Sequence, residues 1–160
     1  EASNILIYKN INHKVFIAGD LKDERFKKYI SGIISKSKNN KNIIFLGKID
    51  EEEKINFYND LDIFVLPSTN SYEAFGIVQL EAMSYGVPVI ASNIKGVRSV
   101  IQNTGNGLLF MKNNHIELSK KIIEIRDRKF KNREKISIDT LSYYGFDKFL
   151  KRISKMFEFI

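Results

Sequence analysis

Two glutamates, Glu73 and Glu81, stand with seven residues between them around a lone glycine, Gly76, in the stretch YEAFGIVQLE. A helix starting near Phe75 or Gly76 presents backbone N–H groups that have no intrahelical partner. A glycine at that point lets a ligand approach the main chain closely. Such an end suits an anion, and a diphosphate can accept several of these hydrogen bonds. Glu81 lies four residues after Ile77, so the two share a face within about two turns of that end. Its carboxylate has two acceptor oxygens, enough for both hydroxyls of a ribose diol. Leu80 and Met83 then point toward the sheet. Glu73 precedes the helix on a loop, where it could reach a group beyond the phosphates, such as a sugar. Taken singly, each acid also fits a plainer role, as a partner of the helix macrodipole or as a solvated side chain. Taken together, after a strand ending in Pro-Ser and before Gly-Val-Pro-Val, they point to a site.

The elements that hold these residues follow from the apolar pattern. Short β-branched runs lie at 14–19 (KVFIAG), 42–47 (NIIFLG), 62–67 (DIFVLP) and 87–92 (VPVIAS), with a weaker one at 107–110 (GLLF). The first four are nearly continuous, as in strands buried on both faces of a parallel sheet. Helical patterns fill the intervals: 23–38, with Phe26, Tyr29, Ile30, Ile33 and Ile34 at helical spacing; 50–59, with an acidic first turn; then 76–85, 96–102 and 115–128. A helical pattern, Ile5, Leu6, Tyr8 and Ile11, opens the chain, and a basic amphipathic stretch runs from 145. Alternating strands and helices predict an α/β fold, a Rossmann-like open parallel sheet with helices on both faces. Ligands of such sheets bind outside the carboxyl ends of the strands, where Gly19-Asp20, Gly47-Lys48 and Pro67-Ser68 fall.

The run from Asp62 to Ile90, DIFVLPSTNSYEAFGIVQLEAMSYGVPVI, resembles the signature of group 1, or family 4, retaining glycosyltransferases. Pro-Ser, Glu-x-Phe-Gly, Leu-Glu-Ala-Met and Gly-x-Pro-Val occur in order and at suitable spacing. FIAGD, FLGKI and GNGLLF extend the likeness across almost the whole chain. The resemblance implies one half of a two-domain B-type glycosyltransferase. Residues 1–160 would form a single donor-binding domain, a fragment lacking the N-terminal acceptor domain and the domain's own first strand. It implies that Glu73 sits beside the transferred sugar, acting on its hydroxyls or on developing positive charge, and that Glu81 holds the ribose hydroxyls. The main chain of Ala74, Phe75, Gly76, Ile77 and Val78 would line the diphosphate and sugar. Lys48 and Ile49 would border the nucleotide base, with Gly19 at the neighbouring strand end. The donor is a nucleoside diphosphate sugar, with no metal or other cofactor expected. The acceptor is a glycan or lipid-linked molecule brought by the missing domain, so the fragment alone should bind donor weakly without transferring it.

The chain departs from the family pattern in two places. Ala2-Ser3 stands about where Lys-Gly of the diphosphate clamp is expected, and Ser99 of KGVRS stands where an acid is usual. Lys95 or Arg98 could supply compensating charge. These departures keep open a nucleotide-sugar-binding module without turnover; an epimerase of the same architecture would need other acids and histidines around the sugar. Asp60-Leu61-Asp62 matches an Asp-x-Asp metal motif but opens a strand instead of closing one. His13 and His115 lack neighbouring ligand types and read as surface residues. Gly19-Asp20 lacks the G-x-G-x-x-G dinucleotide fingerprint, which argues against a dehydrogenase.

Bulk composition is compatible with this reading. At 160 residues and 43% hydrophobic, the chain can bury a core, and with no cysteine it has neither disulfides nor thiolate chemistry. No apolar run nears the roughly 20 residues that span a bilayer. The net charge of +7 is spread among helices that also carry acids, without an arginine cluster, so nucleic acid is not the expected partner. The aromatics Tyr143, Tyr144, Phe146, Phe149, Phe157 and Phe159 fall at helical spacing and read as packing instead of base stacking. Residues 111–160 carry much of the positive excess. A cytoplasmic location, with peripheral attraction to the inner membrane face as a secondary feature, is the expectation.

Overall fold

The computed structural model describes residues 1–24, 27–69, 73, 75–127, 130 and 132–148. They belong to two compact units, Glu1–Phe57 and a second from Tyr58 onward. All five expected strands are present and every pairing is parallel.

The first unit opens with α1 (Ala2–Tyr8), followed by β1 (Val15–Ala18), α2 (Lys27–Ser37) and β2 (Ile43–Gly47). β1 and β2 form a two-stranded ladder with Val15 opposite Ile43 and a register shift after Ile17. His13 is not a bare surface residue here. Its Nδ1 lies 2.8 Å from the Ile11 carbonyl and its Nε2 2.7 Å from Ser3 Oγ. Asn40 donates to Ser3 Oγ at 3.0 Å and to Asn4 Oδ1 at 2.7 Å. A buried serine with these partners fastens α1 to the turn before β2, which is a structural use of a histidine that has no ligand neighbours.

α3 (Glu51–Asp60) begins with the expected acidic turn. Asp50 and Glu53 form a reciprocal cap, each side chain accepting from the other's amide at 2.8 Å. The boundary between the units falls within α3, and the second unit then holds β3 (Phe64–Leu66), α4 (Ile77–Ser84), β4 (Val89–Ser92), α5 (Lys95–Thr104), β5 (Gly107–Phe110), α6 (His115–Asp127) and α7 (Arg133–Tyr144). Its sheet runs in the order β3-β4-β5, with Phe64 opposite Val89 and Val89 opposite Gly107.

Burial on both faces holds for β4 alone, whose four residues are all buried. It is the central strand, paired on both sides and packed by α4, α5 and α6. β1, β2 and β3 are only partly covered, and Leu46 remains 43% exposed. Continuous apolar runs in these three strands therefore overstate their burial. The core of the second unit gathers Ile90, Phe110 and Ile125, with Leu108, Leu118, Ile122 and Phe130 around them. Among the described residues no helix is long and apolar enough to cross a membrane.

α7 locks this unit together through polar contacts. Asn106, fully buried, donates to the Ile136 carbonyl and to Thr140 Oγ1, both at 2.9 Å. Ser137 Oγ donates to the Ser84 carbonyl at 2.7 Å. The Arg133 guanidinium donates to the carbonyls of Tyr58 (3.0 Å), Leu61 (3.1 Å) and Tyr85 (3.2 Å), at the ends of α3 and α4. Cationic donors suit such carbonyl ends.

Candidate functional site

The site grows from the turn between β3 and α4. Gly76 is the N-cap of α4 in the left-handed region, with φ 68° and ψ 64°. A Cβ placed there would lie 2.6 Å from Leu66 Cδ2 and 3.1 Å from Gln79 Nε2. Both backbone angle and space therefore call for glycine. No side chain of the N-cap residue itself caps the helix. Glu73 does so from the loop, its Oε1 accepting from the Gly76 amide at 3.0 Å. The Gln79 amide bonds back to the Gly76 carbonyl at 3.0 Å. The amides of Ile77 and Val78 have no acceptor among the described residues, and their side chains are exposed. These are the unpartnered first-turn amides that the sequence places here.

The face that α4 turns inward matches expectation at Met83 and differs at Leu80. Gln79, Ala82 and Met83 are buried, while Leu80 is only half-buried. Gln79 is the residue that the apolar pattern misses, because its side chain is polar yet fully buried. Its Nε2 donates to the carbonyls of Phe75 (2.6 Å) and Val97 (3.1 Å). One carboxamide thus ties the entry loop of α4 to the first turn of α5. That turn carries Lys95 and Arg98, and α4 and α5 follow the carboxyl ends of adjacent strands. Ser99, where an acid was expected, turns inward on its own helix and donates to the Gly96 carbonyl at 2.9 Å.

Glu81 is half-buried one turn further along α4, and its Oε2 accepts from the Tyr58 hydroxyl at 2.8 Å. Phe75 directs its ring toward α7, edge-on to Tyr144 at 5.7 Å and 71°. Tyr144 in turn packs on Tyr143 and accepts from Asn103 Nδ2 at 2.8 Å. These two aromatics do pack, as expected, whereas Phe146 is exposed; Phe149, Phe157 and Phe159 lie outside the described residues, as does Ala74.

The structure therefore brings Glu73, Phe75, Gly76, Ile77, Val78 and Glu81 together in the second unit. In the first unit it brings Gly19 to Gly47, immediately before Lys48 and Ile49: the Gly19 amide donates to the Gly47 carbonyl at 2.8 Å. Gly47 has a left-handed φ of 78°, which turns the chain sharply at the end of β2. Lys48 is exposed and Ile49 half-buried. Asp60 and Asp62 are exposed at the lead-in to β3, and no three His, Cys, Asp or Glu side chains cluster as metal ligands among the described residues. Sequence reasoning missed Tyr58 and Gln79. The available signal for Tyr58 was a pair of aromatics, Phe57 and Tyr58, near the end of a helix that opens on three acids.

Comparison with known proteins agrees with the sequence resemblance. The family model for glycosyl transferases group 1 matches residues 1–140. The capsular polysaccharide biosynthesis glycosyltransferase CapM of Staphylococcus aureus is 27% identical over 122 residues, 76% of this chain and 30% of CapM. The solved structure of a glycosyltransferase from Rickettsia africae superposes with a TM-score of 0.79 at 23% identity, covering 98% of this chain and 42% of the other. Anabaena Alr3699/HepE, solved in complex with UDP and glucose, superposes with a TM-score of 0.73 at 20% identity, covering 92% of this chain and 40% of the other. The chain thus spans well under half of these relatives, and the two superpositions establish its B-type glycosyltransferase fold. A family match that runs through both units and into α7 involves far more than one motif, and the chain belongs to the group 1 glycosyl transferases.

Proposed function

We propose that this chain is the donor-binding part of a retaining glycosyltransferase. It holds a nucleoside diphosphate sugar while a hexose passes to a glycan or lipid-linked acceptor supplied by another part of the protein. The reaction would take place in the cytoplasm or at the inner membrane face.

The observation that carries this reading is the start of α4. A left-handed glycine, two first-turn amides and flanking carboxylates lie together at the carboxyl end of a parallel strand. The departing diphosphate gains charge as the glycosidic bond breaks, and oriented amides facing it cost no reorganisation at that moment. Lys95 and Arg98, on the first turn of α5, supply positive charge at the same strand ends. Glu81 accepts from the ribose hydroxyls. Glu73 stands beside the sugar, on its hydroxyls or facing the positive charge that develops there. The family match and the UDP complex of Anabaena HepE support a nucleotide-sugar donor. A second reading, a binding module without turnover, is favoured by Ser99, whose hydroxyl is spent on its own helix.

The test is calorimetric titration of the chain with uridine and guanosine diphosphate sugars, with Glu81→Ala alongside. Binding by the wild type that falls at least tenfold in the variant is the expected result, on the scale of a lost charged hydrogen bond of about 1.5–3 kcal/mol. Equal affinity in both proteins would remove the ribose role of Glu81. Sugar transfer by a longer protein containing both units decides against the module without turnover.

A further inference from the structure

Tyr58 donates its phenolic hydrogen to Glu81 Oε2 at 2.8 Å, and its residue is 4% exposed. Three contacts fix it. The ring stacks on Tyr85 at 5.5 Å and 16°, meets Phe64 edge-on at 5.9 Å, and its backbone carbonyl accepts from Arg133 Nη2. A phenol confined in this way has little freedom to redirect its hydroxyl. Packing does not explain the hydroxyl, because phenylalanine would stack equally and spare the chain a buried polar atom. Glu81 is the opposite case. It is half-buried on α4, and three rotatable bonds separate its carboxylate from the backbone. A side chain of that length loses rotamer freedom when a ligand orders it, and this loss subtracts from affinity unless a neighbour has already imposed the order.

We propose that Tyr58 is a positioning residue for the donor: it pins one carboxylate oxygen of Glu81 so that the group meets the ribose diol already oriented. This rests on the reading of Glu81 as the ribose acceptor. The phenol acts through Glu81 and touches no substrate. The chemistry it serves is recognition of a vicinal diol, so its effect belongs to ribonucleotides and not to nucleotides lacking the two hydroxyls.

The experiment compares UDP with 2′,3′-dideoxy-UDP, and GDP with its dideoxy form, by calorimetric titration of the wild-type chain and of Tyr58→Phe. The tighter-binding base is carried forward. Tyr58→Phe should weaken the ribonucleotide roughly three- to tenfold, as expected for one hydrogen bond to a charged group, and leave the dideoxy nucleotide unchanged. Added to Glu81→Ala, Tyr58→Phe should have no further effect, because its route runs through the carboxylate. A second readout needs no variant. The ¹³Cζ resonance of Tyr58 in the wild type should move on adding the ribonucleotide and stay still with the dideoxy form.

Equal loss for both nucleotides, or none for either, overturns the proposal, as does a Tyr58 resonance unmoved by the ribonucleotide. A wild type that binds the diol and dideoxy forms equally overturns the Glu81 reading itself. A wild type that discriminates while Tyr58→Phe discriminates just as well overturns only the role of Tyr58.

Discussion

Glu73 and Gly76 are joined by a hydrogen bond of 3.0 Å from the glycine amide to Oε1 of the carboxylate. The loop acid thus occupies one of the donors that an incoming phosphate would use. Two anions competing for one amide make a definite forecast. Glu73→Gln should lower stability by about 1 kcal/mol, the usual scale for weakening a helix cap. It should also bind UDP roughly two- to fivefold more tightly, since a like charge leaves the anion site. Urea unfolding and calorimetry on the same protein measure the two effects. Weaker UDP binding would show that the carboxylate does not compete.

Gly76→Ala tests the cap itself. The left-handed φ costs an alanine about 1–2 kcal/mol. Its methyl would also need to displace Leu66 Cδ2, 2.6 Å away. The leucine end can swing aside, so the expected loss is about 2 kcal/mol, with UDP affinity down at least tenfold as the first-turn amides shift. Denaturant midpoints and titration check both.

Asn106→Ala should be among the costlier single changes away from the site. The amide is fully buried and its two hydrogens satisfy the Ile136 carbonyl and Thr140 Oγ1. Removing it leaves a cavity and weakens the tie between the turn before β5 and α7, an expected loss of about 2–4 kcal/mol. A thermal midpoint lower by less than a few degrees would contradict it.

Arg133→Lys should rescue Arg133→Ala only in part. A guanidinium reaches three carbonyls through a planar fork, whereas an ammonium is a single point charge on a flexible stem. Losses of about 2–3 kcal/mol for alanine and 1–2 kcal/mol for lysine are expected, read by chemical denaturation. By contrast, removing the charge of Lys27, paired with Glu24 at 3.0 Å with both side chains exposed, should change stability by less than about 0.5 kcal/mol.

The sequence made the strands, the start of α4 and both acids legible because each has a local signal: β-branched runs, a glycine after Glu-x-Phe, and acids at fixed spacing. What it concealed depends on contacts between distant elements. Tyr58 precedes Glu81 by 23 residues and looked like a second aromatic beside Phe57. Gln79 has a polar side chain, and the carbonyls of Phe75 and Val97 that receive its amide hydrogens lie on elements that no local pattern links to it. Arg133 lay in the 111–160 segment whose positive excess suggested only attraction to a membrane face. Partial exposure of β1, β2 and β3 was likewise hidden, because apolar runs do not state how many helices will cover them.

The contacts of Arg133 also have a consequence for the order of events during synthesis. They reach back 75, 72 and 48 residues, to Tyr58, Leu61 and Tyr85. The stretch bearing both acids leaves the ribosome long before the arginine that ties off its two ends. Such long-range closures form late. A nascent chain stalled before α7 would carry the whole signature without the fastening that holds it, and would be open to proteases until α7 had been added.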